Sequence, residues 1–218
     1  MVTDMSKADH VADITTPTAV DNILLAAEIL FAERGFDGTG MKAIALQAQV
    51  SQALLHYHFG TKEQLYADVI RNRSNKINDE RHALLDLVDT KAPDAVRQIL
   101  EALFRPPLGP SGGAQAYAKI FSGLVVGRER DQQLVRKYYD PTAQRFIEML
   151  QQAIPGADQA TAAMSYTLAL GSLIAVINRN GRVERLMGND DTPPLDTEAI
   201  IVQLVDFTEG GINALAQT

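Results

Sequence analysis

Cysteine is absent from the 218 residues, which excludes structural disulfides, thiolate zinc sites and cysteine nucleophiles. The usual motifs of hydrolytic and nucleotide chemistry are missing as well: there is no Gly-x-Ser-x-Gly elbow, no His-Glu-x-x-His pair and no Walker-type glycine loop. Gly35 to Gly40 is rich in glycine, but it joins two helical patterns instead of following a strand, which is the wrong context for a dinucleotide loop. The expectation is a protein that binds and does not catalyse, with no cofactor. Long hydrophobic runs are scarce too. The longest uncharged stretch, Gln159 to Asn178, is diluted by Thr161, Ser165, Thr167 and Ser172, so no membrane span is expected. Residues 1–17 lack the charged, apolar and small-residue parts of a secretory signal, and the reading is a cytoplasmic protein. Finally, no stretch alternates apolar and polar residues as a half-buried strand would, so the chain reads as all-α.

What is present suits a soluble protein with a real core: 46% hydrophobic and 22% charged residues lie far from the composition of disordered chains. Length favours two unequal domains. The net charge of −7 is unfavourable for nucleic acid as a whole, yet charge acts by region. Positive and negative residues balance over 18–76, and Gly38 to Lys62 holds no Asp or Glu while carrying Lys42, His56, His58 and Lys62. A phosphate-facing surface has this composition. Chance is the plain alternative for a gap of this length.

The helical pattern is regular. Residues 1–15 show no periodicity and read as a loose arm. Thr16-Pro17 suits a helix start, Ile23, Leu24, Ala27, Leu30 and Phe31 recur at helical spacing, and Gly35 suits a stop, giving a helix over about 17–34. Thr39 is a candidate cap for a second helix with Ile44, Ala45 and Ala48 on its apolar face, and Ser51 for a third with Leu54, Leu55 and Phe59 inward. Two short helices separated by about three residues have helix-turn-helix spacing. The Gln49-Val50-Ser51 junction has no glycine, so one of these residues must accept an unusual backbone conformation. Thr61 and Gln64 form a capping box for a long fourth helix to about Val88. Further helices are expected from Ala92 to Phe104, over about 114–128 and 131–153 with a break at Pro141, and over about 158–179 and 196–216. Between them lie a loop at Arg105 to Gly113 and a polar loop at Gly188 to Pro194.

A third helix of about two turns is not stable alone. It must be held on one face, which leaves Gln52, Ala53, His56 and Tyr57 on the other. Gln pairs bidentately with adenine, His and Tyr can bond bases or phosphate, and Ala can meet a thymine methyl. The competing reading is a surface helix whose Tyr57 packs locally and whose histidines are solvated. A metal held by His56 and His58 is a further alternative, opposed by helix geometry, since residues two apart point about 200° away from each other.

These residues resemble a known family. Ile23-Leu24, Ala26-Ala27, Phe31-Ala32-Glu33-Arg34-Gly35-Phe36, Thr39, Ile44-Ala45, Val50-Ser51, Leu55, Tyr57-His58-Phe59, Lys62-Glu63 and Leu65 together look like the N-terminal domain of TetR-type regulators. The resemblance covers residues 18 to about 70. With the loose arm taken as 1–17, it implies a three-helix DNA-binding domain at 18–65 and a helical ligand-binding and dimerisation domain at 66–218 entered by a long connecting helix. It also implies base contacts from Gln52, Ala53, Leu54, His56 and Tyr57, behind the Ser51 cap. Phosphate contacts are implied for Thr39, Tyr57, His58 and Lys62, the last beside a helix N-terminus that itself favours anions. Val20, Gly40, Gln49 and His56 stand where the family more often has arginine, a hydroxyl residue, glycine and an aromatic.

The second half is read physically. Ala162, Ala163, Tyr166, Ala169, Leu170, Leu173, Ile174 and Ile177 wrap most of their helix, and Ile200, Ile201, Leu204, Val205, Phe207, Ile212 and Leu215 crowd the last one. Helices apolar nearly all round are buried nearly all round, by a second copy of the chain or by the chain's own core. A homodimer through 158–179 and 196–216 is the expectation. Phe104, Tyr117, Phe121, Met149 and Tyr166, with Arg128 as a polar contact, are candidates for an effector pocket suited to a hydrophobic or flat molecule, the alternative being ordinary core. The functional expectation is a DNA-binding repressor released by a small molecule. Its alternatives are a ligand-responsive activator, or a ligand-carrying helical protein or enzyme.

Overall fold

The computed structural model describes residues 18–177, 182–186, 188 and 196–215, so the expected arm at 1–17 lies outside the described residues. Every regular element among the described residues is a helix. α1 (Ala19–Gly38) begins two residues later than Thr16-Pro17 suggests, because Thr18 and Asp21 form a reciprocal capping box: the Thr18 hydroxyl accepts from the Asp21 amide at 3.2 Å, and the Asp21 carboxylate accepts from the Thr18 amide at 3.0 Å. Gly35 interrupts α1 at φ +69°, and a further turn follows before α2 (Met41–Gln47). The cap of α2 is Gly40, not Thr39. α3 (Gln52–Phe59) and α4 (Lys62–Leu85) are capped by Ser51 and Thr61 as the sequence suggests.

The junction without glycine is resolved at Gln49, the one non-glycine residue with positive φ among the described residues, at +56°. Around it, Ile23, Ala27 and Phe31 of α1, Ile44 and Ala45 of α2, Leu55 and Phe59 of α3, and Leu65 and Val69 of α4 bury into one core. Tyr66 meets Phe31 and Phe36 edge to face, its ring centred 4.9 Å from Phe31 and 5.1 Å from Phe36, while the two phenylalanines stack at 6.0 Å, which seals the end of α1 to α4. This core does not stop at residue 65. It continues through Ile70 and Ile77 to Tyr117, Ile120, Phe121 and Leu124 of α6 (Ala114–Val125).

α5 (Ala95–Leu108) begins after turns at 92–94 and runs past the expected stop at Phe104, through Pro106 and Pro107. Proline removes the amide that would serve the carbonyl four residues back; the Leu103 carbonyl, opposite Pro107, instead accepts from the Arg81 guanidinium at 3.0 and 3.3 Å. A short 3-10 turn, Pro110–Gly112, leads into α6. α7 (Glu129–Tyr138) and α8 (Asp140–Ala153) divide at Tyr139, so Pro141 lies in the first turn of α8, where its missing amide costs nothing, and not at the break itself. α9 (Gln159–Ile177), α10 (Arg182–Leu186) and α11 (Thr197–Leu215) complete the described chain. The polar loop expected at Gly188 to Pro194 lies, but for Gly188, outside the described residues. A second core joins Leu85, Ile99, Leu100, Leu103 and Phe104 to Phe146 and Leu150 of α8, Ala169 and Leu173 of α9, and Ile201, Leu204 and Val205 of α11.

Candidate nucleic-acid interface and effector cavity

α3 is a short amphipathic rod. The Ser51 hydroxyl accepts from the Leu54 amide at 3.1 Å, and Leu55 and Phe59, four residues apart, are buried. Leu54 is half-buried at the rim. Gln52, Ala53, His56, Tyr57 and His58 are exposed, with Tyr57 at 83%. Its ring meets the neighbouring His58 ring, edge to face at 5.1 Å, and stays open to solvent. The His56 Nδ1 lies 2.7 Å from the Gly60 carbonyl oxygen. A carbonyl only accepts, so Nδ1 carries the proton and Nε2 of the neutral ring is left as an acceptor.

Two further expected contacts prove to be engaged within the fold. Thr39 is buried, and its hydroxyl donates to the Leu30 carbonyl at 3.0 Å and the Gly35 carbonyl at 2.8 Å. Its side chain ties off the interrupted end of α1 and does not reach the surface, so its hydroxyl is not free here for the phosphate contact implied for it. Lys62 is half-buried: its ammonium donates to the Phe36 carbonyl at 2.9 Å and stands 4.3 Å from the Phe36 ring centroid. It therefore clamps α4 to the end of α1 while its charge stays beside the N-terminus of α4. Among the described residues no three His, Cys, Asp or Glu side chains gather as a metal site.

α7 locks this unit to the rest. The Arg130 guanidinium lies 3.8 Å from the Phe36 ring centroid and 5.2 Å from that of Tyr66, and pairs with the buried Asp131 carboxylate at 2.9 Å. Burial, with Asp131 nearby, pushes the Tyr66 hydroxyl up to about 12. On another side Arg73 grips Glu28 at 2.9 Å and the Ser111 carbonyl at 3.0 Å, joining α4 to α1 and the 3-10 turn.

Of the residues expected at an effector pocket, Tyr117 and Phe121 line a cavity between α4, α6 and α9. Its volume is about 20 Å³, room for about one water molecule. Phe104, Met149 and Tyr166 belong to the second core and do not line it. Arg128 is a clearer departure. Its side chain is 82% exposed and lies 3.5 Å from Asp37 at the surface, because it caps the start of α7. The cavity instead holds two groups the sequence reading passed over, Arg81 and Tyr139. The hydroxyls of Tyr117 and Tyr139 touch, and burial raises both, so they stay neutral. Arg81 had a legible signal: it falls on the stripe Ile70, Ser74, Ile77 and Leu85 of α4, every member of which is buried, so a cation sits where helical periodicity calls for an apolar residue.

Comparison with known proteins agrees with this arrangement. Residues 23–69 match the family model "Bacterial regulatory proteins, tetR family", and residues 97–211, over half the chain, match "Tetracyclin repressor-like, C-terminal domain". The HTH-type transcriptional activator FasR of Mycolicibacterium smegmatis is 27% identical over 197 residues, covering 90% of this chain and 84% of that protein. The HTH-type transcriptional repressor NicS of Pseudomonas putida is 33% identical over 81 residues, 37% of each chain. The crystal structure of the transcriptional regulator FadR from Bacillus subtilis, in complex with stearoyl-CoA, shares the fold with a TM-score of 0.65 at 14% identity, covering 87% of this chain and 97% of that one. An all-α chain with a capped helix-turn-helix at 41–59, a long connecting α4 and a helical second half, matched by both family models, belongs to the TetR family of DNA-binding transcriptional regulators.

Proposed function

We propose that this protein is a cytoplasmic repressor that binds operator DNA as a homodimer and leaves it when a small molecule with an apolar body binds within the helical half. The observation that carries the reading is the exposed ridge of α3, with Gln52, Ala53, His56, Tyr57 and His58 outward on a helix held by Leu55 and Phe59. Residues 18–65 serve as the DNA reader and 66–218 as the effector and dimer unit. Gln52 pairs with adenine, His56 accepts from a base amino group through Nε2, and Ala53 and Leu54 meet apolar edges from behind the Ser51 cap. Tyr57, His58 and Lys62 hold phosphates and set the register. No catalytic step is assigned to the chain.

Dimerisation through α9 and α11 is supported by what one chain leaves uncovered. Met164 and Leu168 on α9, and Phe207 on α11, are exposed by 54%, 53% and 75%. α9 is long and apolar enough to cross a membrane by length and composition. It packs against α8, α11, α5 and α6, and a second copy covers its outer face more economically than lipid. Ile77, Phe121 and Ile177 in the cavity wall support an effector with an apolar body, as does the acyl chain of the stearoyl-CoA held by the FadR of similar fold. The 84% of FasR matched here supports a second reading, in which the ligand-bound protein activates transcription.

Fluorescence anisotropy with duplexes from the DNA flanking the protein's own gene tests the reader. We expect binding that weakens steeply with salt, and Gln52→Ala to cost about 1–3 kcal/mol at one base pair only. Absence of salt-dependent binding to any flanking fragment would defeat the proposal. A transcription assay in which the protein raises, not lowers, output from that fragment decides for activation.

A further inference from the structure

Among the described residues, each buried carboxylate has an arginine: Glu28 has Arg73, Asp68 has Arg71 and Asp131 has Arg130. The converse does not hold. Arg81 is the only buried arginine or lysine among the described residues, and no described carboxylate pairs with it. Its recorded hydrogen bonds go to a single carbonyl, that of Leu103, through Nε and Nη2. Pro107 explains why that carbonyl needs a donor, but a neutral amide would suffice. A full charge in this position is costly to desolvate and is seldom kept without an ionic partner. Three tyrosines and an aromatic ring surround it: Tyr117, Tyr139 and Tyr166 lie near, and the Phe146 ring centroid is 5.8 Å away. Burial lowers the affinity of the guanidinium for its proton without approaching neutrality.

Arg81 lines the same cavity as the touching hydroxyls of Tyr117 and Tyr139, with Ile77, Phe121 and Ile177 forming apolar wall. We propose that Arg81 is the receptor for the carboxylate of the effector, which is therefore an organic monoanion with an apolar body; this rests on the effector-binding reading above. With Nε and one Nη2 hydrogen held by Leu103, Nη1 and the other Nη2 hydrogen remain to meet a carboxylate bidentately, and the two hydroxyls can turn to donate to the same oxygens. The body of the molecule replaces the packing of Phe121 and Ile177. Since the cavity holds about one water in this state, the ligand enters by parting α6 from α4, the helix that carries the reader. The missing counter-ion is supplied by the ligand.

The test uses the full chain without DNA, titrated calorimetrically with decanoate, decanamide and decanoyl-CoA below their aggregation limits. We expect decanoate to bind at least about tenfold more tightly than decanamide, the difference a charged hydrogen bond gives. Arg81→Gln should abolish that preference, and Arg81→Lys, which keeps the charge, should restore part of it. Equal binding of acid and amide by the unaltered chain overturns the proposal even if neither variant folds. It is also overturned if only decanoyl-CoA binds and Arg81→Gln leaves that binding unchanged, because the headgroup is then read elsewhere. Because no DNA is present, failure here leaves the regulator reading intact, and failure to bind operator DNA leaves this result standing.

Discussion

Gln49 turns the chain between α2 and α3 at φ +56°, a conformation that costs a side-chain-bearing residue about 1 kcal/mol. Gln49→Gly should therefore stabilise the protein by about 0.5–1 kcal/mol, read as a rise of a few degrees in melting temperature; an unchanged or lower melting temperature would mean the side chain has a compensating role. At Glu28 the sign is opposite. Its carboxylate is the sole recorded anion on Arg73, so Glu28→Gln leaves a largely buried guanidinium without a counter-charge and should destabilise by about 3 kcal/mol, measured by urea unfolding. His56 illustrates how far a single residue could be read from sequence. Its departure from the usual aromatic marked it, but only its bond to Gly60 fixes which ring nitrogen is free. Thr39 shows the reverse: a hydroxyl before a helix start looks like a cap, and only the interrupted end of α1, with carbonyls at Leu30 and Gly35 needing donors, explains why it faces inward.

α3 and its neighbours were legible because local rules agree there: caps at Ser51 and Thr61, a stripe at Leu55 and Phe59, and the spacing of two short helices. α5 was not, since two prolines read as a stop, and a helix continues through them here because a side chain from α4 serves the orphaned Leu103 carbonyl. A tertiary partner of this kind leaves no local trace. The same limit applies to α7, whose Arg130 reaches across to Phe36 and Tyr66 at the end of α1. This helix bridges the proposed reader and the proposed effector half. Arg130→Met should leave operator affinity nearly intact and weaken the ability of the effector to lower it, a loss of coupling measured by operator titrations with and without ligand. For α9 and α11, Leu168→Glu together with Phe207→Glu places charges in the proposed interface and should yield a monomer by light scattering; a dimer of unchanged affinity would remove these helices from the interface.

At the scale of the whole molecule, the balanced charge of the N-terminal unit and the acidity elsewhere separate a DNA-facing end from a repelling remainder. The proposed dimer would read half-sites about 34–36 Å apart. Each lysine that neutralises one phosphate contributes about 0.9 to the salt slope, so Lys62→Ala should lower the slope by about 2 per dimer, and no change would confine Lys62 to its clamp on Phe36. The helix-turn-helix pattern was legible up to the start of α4, yet the first core runs on into α6, against which α1 also packs. The second half was legible as helical, and Tyr117 and Phe121 as cavity residues, but Arg81 on α4 and Tyr139 at the junction of α7 and α8 join them only through the tertiary fold. One consequence of the cavity's size is kinetic. A space of about 20 Å³ admits no organic molecule, so an effector that docks on Arg81 as proposed must wait on spontaneous parting of the helices. Effectors of different size then share one ceiling on their rate of entry, set by the protein, and differ in how long they stay; the response time of the switch belongs to the fold, and its selectivity to the dissociation rate.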